Sequence, residues 1–246
     1  GLIEIEGGLE EFLNRFYAAY RVLPKPAKAL QRALNGYRRL RGNPPASARD
    51  NITHHYDIGN DFYRLWLDKE MVYTCAYYAN RITTLEEAQQ AKMDHICRKL
   101  RLKPGETVVD AGCGWGALAR HMAQYYGVKV RAFNISHEQV AFAREQARAS
   151  GLEGQVEYIE DDYRNISGRY DAFVSVGMLE HVGASHYRAL GALIDRSLTN
   201  NGRGLIHTIG QNRSLPTSSW TQRRIFPGGY VPTLYEISDF LSLHDF

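Results

Sequence analysis

The chain has 246 residues, 44% of them hydrophobic and 23% charged, with a net charge of +3. That length buries one α/β core and a modest appendage. No apolar run approaches the roughly 18 residues that span a bilayer, and the opening residues do not read as a charged-then-apolar signal segment. Cys75, Cys97 and Cys113 are an odd number without metal-ligand spacing, which points to a reducing, cytoplasmic setting and away from a disulfide framework or a metal site.

Residues 9–41 carry apolar side chains at helical intervals, interrupted by Pro24 and Pro26, and read as two helices about a proline break. The positive charge is concentrated here: residues 12–49 contain nine Lys or Arg and no Asp or Glu. Basic residues interleaved with Leu and Tyr suit an anionic membrane surface, where each contributes about 1 kcal/mol. A solvated helical face is the plainer alternative, and no base-reading motif supports nucleic acid. Gly42-Asn-Pro-Pro-Ala-Ser is a linker. Two segments dense in aromatic and polar residues follow, at 51–68 and 71–78, and then a charged amphipathic helix from Leu85 to Leu102. We expect residues 1–50 to form a basic helical segment and linker, 51–102 a helical cap, and 103–246 the α/β domain.

Within that domain the pattern alternates strand and helix, as a parallel sheet covered on both faces requires. The strands are expected at Thr107–Asp110, Val128–Phe133, Val156–Glu160, Ala172–Val176 and Gly204–Ile209, with helices at His137–Ser150, Tyr187–Leu198 and Leu234 to about Leu243. Residues 211–232 read as a long loop, too rich in large side chains for a passive linker. Its Arg223 and Arg224 suit a headgroup phosphate or are incidental surface charge.

The organising stretch is Thr107-Val-Val-Asp-Ala-Gly-Cys-Gly-Trp-Gly116, in which a β-branched run ends in an acid and three glycines follow at alternate positions. Glycines there let backbone approach a ligand closely. The spacing is G-x-G-x-G and not the dinucleotide pattern G-x-G-x-x-G. With Asp110 ending the strand, it resembles the first motif of the Rossmann-like, S-adenosylmethionine-dependent methyltransferases.

Six signatures in order extend the resemblance from about residue 50 to the last residue. They are His55-Tyr-Asp-Ile-Gly-Asn-Asp-Phe-Tyr63, Tyr73-Thr-Cys-Ala-Tyr77, Ala88-Gln-Gln-Ala-Lys92, Asp110-Ala-Gly-Cys-Gly-Trp-Gly116, Val176-Gly-Met-Leu-Glu-His-Val-Gly183 and His207-Thr-Ile-Gly210. Together they resemble the cyclopropane-fatty-acyl-phospholipid synthase family. The resemblance implies a class I methyltransferase fold that normally has seven strands. The sequence stops before the last two, and before a C-terminal segment that contributes a tyrosine to the family's reacting centre.

The resemblance also implies site residues. S-adenosylmethionine would meet Asp110, Gly112 and Gly114 after the first strand, with Tyr73 and Thr74 closing over its methionine end and Asp162 and Tyr163 beside its adenine. Asn134 stands where the family more often has threonine facing the ribose, so Gln139 is the ribose partner carried over. A bicarbonate ion would be held by Cys75, Glu180, His207 and the backbone of Ile209. The substrate would be a phospholipid with unsaturated acyl chains, at the inner membrane's cytoplasmic face, with a homodimer left open.

An alkene is a poor nucleophile, so rate must come from positioning and from keeping water off the cation that forms. Aromatic faces at Trp115, Tyr73, Tyr77 or Trp220 suit that cation. Ring closure then removes a proton, and a carboxylate beside a bicarbonate is favourable only through a shared proton. We therefore expect Glu180 to orient a protonated bicarbonate rather than to act as the base. Rival readings are a methyltransferase of the same scaffold giving methyl-branched lipid or a methylated amine, and an inactive lipid-surface fragment.

Overall fold

The structure is a computed structural model that describes residues 7–20, 59–213, 220–221, 226 and 228–242. The chain divides into two compact units, Gly1–Arg41 and Gly42–Phe246. In the first, helix α1 spans Leu9–Tyr20. The second expected helix, the proline break, the linker, His55–Ile58, and Arg223 and Arg224 lie outside the described residues.

The second unit is built on β1 (Thr107–Ala111), β2 (Lys129–Asn134), β3 (Val156–Glu160), β4 (Tyr170–Val176) and β5 (Leu198–His207), in the spatial order β3-β2-β1-β4-β5. Every neighbouring pair is parallel. The helices are α2 (Asn60–Arg64), α3 (Leu85–Lys99), α4 (Ala117–Tyr126), α5 (His137–Ala149), α6 (Leu179–Val182), α7 (Tyr187–Ser197) and α8 (Leu234–Ser242). From β1 the chain winds outward through β2 and β3, then returns to place β4 on the other side of β1. That reversal opens a crevice at the carboxyl ends of β1 and β4, where open α/β sheets bind ligands.

Strand alternation sends consecutive β1 side chains into different cores. Val108 packs with Ile96, Leu100, Met122, Val130 and Val140, whereas Val109 packs with Phe173, Leu179, Leu190, Ile194 and Phe240. Both valines are fully buried, each stabilising the fold by about 1.5–3 kcal/mol. This is why the strand reads as a continuous apolar run. A third cluster of Tyr63, Met71, Trp115 and Phe142 fastens the segment after α2 onto the glycine turn.

Two boundaries differ from expectation by three residues or more. Helix α3 ends at Lys99 instead of Leu102 because Arg101 adopts φ +51°, a left-handed conformation that a helix cannot continue through. Strand β5 begins at Leu198, six residues before the expected Gly204. Tyr170 pairs with Leu198 but Ala172 pairs with Arg203, so β5 carries extra residues in an irregularity around Asn200-Asn201-Gly202. Those residues look like a turn in the sequence. Arg203 anchors the far side of the irregularity, donating from Nε to the Leu100 carbonyl (2.6 Å) and from Nη2 to Glu106 (2.6 Å). Among the described residues β5 is an edge of the sheet and five strands are present.

Candidate active site

The turn after β1 folds back on β2: the N–H groups of Gly112 and Cys113 both donate to the Phe133 carbonyl, at 2.9 and 3.0 Å. Gly112, Gly114 and Gly116 all have positive φ. At Gly116 a Cβ would lie 2.6 Å from the Tyr158 ring, whereas at Gly114 it would meet nothing within 4 Å. One glycine is demanded by packing and the other faces open space.

Asp110 is 1% exposed and its Oδ2 has no partner among the described residues, although the side chain lines the cavity beneath the turn. Burial pushes its pKa up to about 7 from the ordinary 3.8. Raising the folded pKa favours the protonated acid, so the stability associated with it is present at low pH and is lost as pH rises from about 4 through about 7. In the ligand-free protein, Asp110→Asn should therefore compare better with wild type at pH 8 than at pH 5. Melting temperatures at both pH values test this, and an equal difference at the two would show that the acid is not desolvated.

That first cavity is lined by Tyr73, Thr74, Lys92, Asp110, Gly112 and Gly114, among others. A second, larger cavity of about 380 Å³ has mostly apolar walls and takes in Cys75, Gln89, Glu180, His207, Ile209 and Phe226. Val72, Tyr73, Thr74 and Gly177 line both cavities and form the partition between them.

Glu180 sits in the first turn of α6. Its Oε1 accepts from the Ile209 N–H at 2.7 Å, and its backbone carbonyl accepts from Tyr230 N–H at 2.8 Å. Its Oε2 is buried with no partner among the described residues, and so is Nδ1 of His207 at the end of β5. Burial, followed by the charges of Lys92 and Lys99, lowers the His207 pKa and favours a neutral imidazole. Cys75 is exposed on the same wall. The structure thus gathers Cys75, Glu180, His207 and Ile209 on one cavity. The backbone of Ile209, expected at the bicarbonate, directs its N–H to Glu180.

Of the expected cofactor residues, Tyr73, Thr74, Asp110, Gly112 and Gly114 line the first cavity, while Asn134, Gln139, Asp162 and Tyr163 line neither. Asn134 Nδ2 donates to Gln139 Oε1 (2.7 Å) and to the Gly114 carbonyl (3.2 Å), so these two residues hold each other and the glycine turn. Asp162 accepts from the backbone N–H of Arg164 (2.9 Å) and from its guanidinium (2.7 Å), which also lies 4.7 Å from the Tyr163 ring centre. Burial pushes the Tyr163 pKa up to about 12. The ends of β2 and β3 join through the Asp161 N–H, which donates to the Asn134 carbonyl at 3.0 Å.

Among the aromatics, Trp115 lines the first cavity and donates from Nε1 to Asn60 Oδ1 at 2.7 Å. Tyr77 and Trp220 are exposed and reach neither cavity, and Tyr77 stacks on His95. Sequence reasoning gave no role to Gln89 or Lys92, although it singled out their motif. Both are buried on the stripe of α3 that otherwise holds Ala88, Met93, Ile96 and Cys97. Polar residues on an apolar stripe were the available signal.

A profile of the mycolic acid cyclopropane synthetase family matches residues 44–246. The chain belongs to that family. Its members include the cyclopropane-fatty-acyl-phospholipid synthase of Escherichia coli K12, 45% identical over 185 residues that make up 75% of this chain and 47% of that protein. A Pseudomonas putida relative is 42% identical over 195 residues, 76% of this chain and 50% of its own length. The chain thus spans about half the length of these two family relatives. Among solved structures, the cyclopropane synthase MmaA2 of Mycobacterium tuberculosis superposes with a TM-score of 0.75 at 31% identity, covering 82% of this chain and 74% of that one. Mycolic acid cyclopropane synthase CmaA1, solved with SAH and CTAB, gives 0.75 at 33%, covering 80% and 74%. The family fold, and this chain's, is that of the class I S-adenosylmethionine-dependent methyltransferases.

Proposed function

We propose that the chain uses S-adenosylmethionine to build a methylene bridge across cis double bonds of phospholipid acyl chains. The observation that carries this reading is the pair of cavities sharing one wall. The first has an open glycine turn and a buried acid with a spare oxygen; the second has apolar walls, an acid and an imidazole. Relatives named as cyclopropane synthases, and the SAH in the CmaA1 structure, support the same reading.

The residues around the first cavity fit such a cofactor. Asp110 offers Oδ2 to a cationic amino group, and Gly114 leaves room for close backbone approach. Asn134, Gln139, Asp162 and Tyr163, at the end of β2 and in the connections after β2 and β3, serve its ribose and adenine. Bound there, the cofactor supplies an electrophilic methyl group. Trp66, Leu67, Val72, Phe226 and Val231 line the second cavity, where they hold an acyl chain and exclude water. Tyr73, on the partition, turns a ring toward the cation that methylation leaves on the chain.

Glu180 Oε2 and His207 Nδ1 are two buried polar atoms without a partner among the described residues, in an otherwise oily space. They fit a small oxyacid, and bicarbonate held there would supply the base for ring closure. Cys75 adds a thiol to its wall. In this reading Glu180 orients the bound acid and His207, kept neutral, shares a hydrogen with it.

Calorimetry with S-adenosylmethionine, followed by transfer of its labelled methyl to vesicles of cis-unsaturated phospholipid, tests the proposal. We expect binding, incorporation, and a product two hydrogens lighter than the saturated methyl-branched chain. Binding without incorporation would leave only a cofactor-binding fragment, and the heavier product would make it a methyl-branching enzyme.

We place the reaction at a cytoplasmic membrane surface, as a peripheral protein. Among the described residues no helix is long and apolar enough to cross a membrane. Helix α1 supports surface binding through Leu9, Phe12, Leu13, Phe16 and Tyr17, which form one stripe and are 37–62% exposed. With the basic residues that follow, vesicle association should weaken as salt rises and as anionic lipid is removed; salt-insensitive binding would rule out the electrostatic part.

A further inference from the structure

The partition between the two cavities is held from one side by α3. Lys92 is 6% exposed in the middle of that helix, and its ammonium donates to Thr74 Oγ1 at 2.5 Å. One turn earlier, Gln89 donates from Nε2 to the carbonyl of Thr74 at 2.9 Å and to that of Val72 at 3.2 Å. From the other side, Thr74 Cγ2 lies 2.6 Å from where a Cβ on Gly177 would stand, so the methyl occupies the space that this glycine vacates. Thr74 is therefore gripped at its hydroxyl, its carbonyl and its methyl.

Burying an ammonium is costly unless it is hydrogen-bonded. Desolvation lowers the Lys92 pKa to about 8, partly opposed by the nearby charges of Asp68 and Cys75. A lysine that served packing alone is poorly suited to this place, which an apolar residue of similar volume would fill.

We propose that Lys92 is a positioning residue for methyl transfer, fixing the Thr74 side chain in the partition so that the reactive carbon passes straight from the first cavity to the second. The inference rests on the two-cavity reading of function above. If Lys92 acts through Thr74, loosening that side chain widens the partition, misaligns the donor and acceptor carbons, and admits water. Water then takes the methyl group, and S-adenosylmethionine plus water gives the homocysteine thioether, methanol and a proton.

The test compares Lys92→Met, Thr74→Val, the double variant and Thr74→Ser in the full chain, with vesicles of cis-unsaturated phospholipid. It measures thioether formed, acyl chains alkylated, and affinity for S-adenosylmethionine by calorimetry. Lys92→Met should lower kcat for alkylation on the order of 10–100-fold, change cofactor affinity less than about threefold, and raise the ratio of thioether to alkylated chain above one. Thr74→Val should lower kcat and raise the ratio likewise, the double variant should be no worse than either single one, and Thr74→Ser, which keeps the hydroxyl, should recover most of the rate.

Lys92→Met with wild-type kcat and a ratio of one overturns the inference, as do single effects that multiply in the double variant. If Lys92→Met does not fold, the contrast between Thr74→Val and Thr74→Ser decides alone, and equal loss in the two overturns it. Failure of the functional reading shows differently: wild type itself would form neither thioether nor alkylated lipid.

Discussion

Replacing Glu180 with glutamine is expected to reduce methylene transfer to lipid roughly 100–1,000-fold, with affinity for S-adenosylmethionine unchanged within about threefold. The substitution is nearly isosteric, so the size of the effect comes from hydrogen-bond polarity. Glu180 uses Oε1 to receive the Ile209 N–H and keeps Oε2 buried, with no partner among the described residues. Glutamine has one acceptor oxygen for those two places. If the oxygen stays with Ile209, an amide NH₂ faces the cavity and a bound oxyacid loses its hydrogen-bond acceptor. If it turns inward, two N–H groups oppose each other at Ile209, and an unmade buried hydrogen bond costs about 1–3 kcal/mol. Either arrangement spares the first cavity, which Glu180 does not line. Labelled-methyl transfer to unsaturated vesicles, with calorimetry in parallel, makes the comparison. Near-normal transfer would remove Glu180 from the chemistry, and lost cofactor affinity would mean that the two cavities are not functionally separate.

The second large effect is on stability, and it separates two glycines of one turn that differ in role. Gly116→Ala is expected to destabilise the ligand-free protein by about 3 kcal/mol, combining a left-handed conformation with overpacking. Its φ is +81°, and a Cβ would lie 2.6 Å from a buried ring whose hydroxyl donates to the Gly116 carbonyl at 2.7 Å. Tyr158 has little freedom to retreat, being 4% exposed in the main core. A melting temperature lower by roughly 6–12 °C corresponds to that loss in a domain of this size.

Gly114→Ala should behave in the opposite way. Its φ of +55° is one an alanine can adopt at about 1 kcal/mol, and its Cβ would point into open space. The fold should lose only a few degrees, while cofactor affinity falls on the order of tenfold or more as the cradle fills. Thermal melts with and without S-adenosylmethionine distinguish the pair. Equal melting temperatures for wild type and Gly116→Ala would show that Tyr158 yields.

Much of this architecture was legible before any coordinates. Val108 and Val109 announced a strand buried on both faces, and the G-x-G-x-G turn announced a ligand crevice at its end. Spacing alone could not bring Cys75, Glu180, His207 and Ile209 together, since they come from three different connections; their resemblance to a known set of motifs did so. Strand β5 was misread at its start because Asn200-Asn201-Gly202 carries turn chemistry, while the pairing that overrides it lies with β4, nearly thirty residues away in sequence. Lys92 was overlooked for a related reason. A lysine on a charged amphipathic helix looks solvated until the helix's orientation is known, and only then does its ammonium prove to point inward.

The loops that follow β4 and β5 are laced together: Gly177 N–H donates to the His207 carbonyl at 2.8 Å, Ile209 N–H to the Glu180 carboxylate at 2.7 Å, and Tyr230 N–H to the Glu180 carbonyl at 2.8 Å. The loops after β1, β2 and β3 are laced through Gly112, Asn134 and Asp161, and Ser175 Oγ ties the end of β4 to them through the Ala111 carbonyl at 3.0 Å. In the proposed reaction one half of the sheet would serve as the workbench for the donor and the other for the acceptor. The two meet at the wall of Val72, Tyr73, Thr74 and Gly177, so drift in that wall would unsettle both at once.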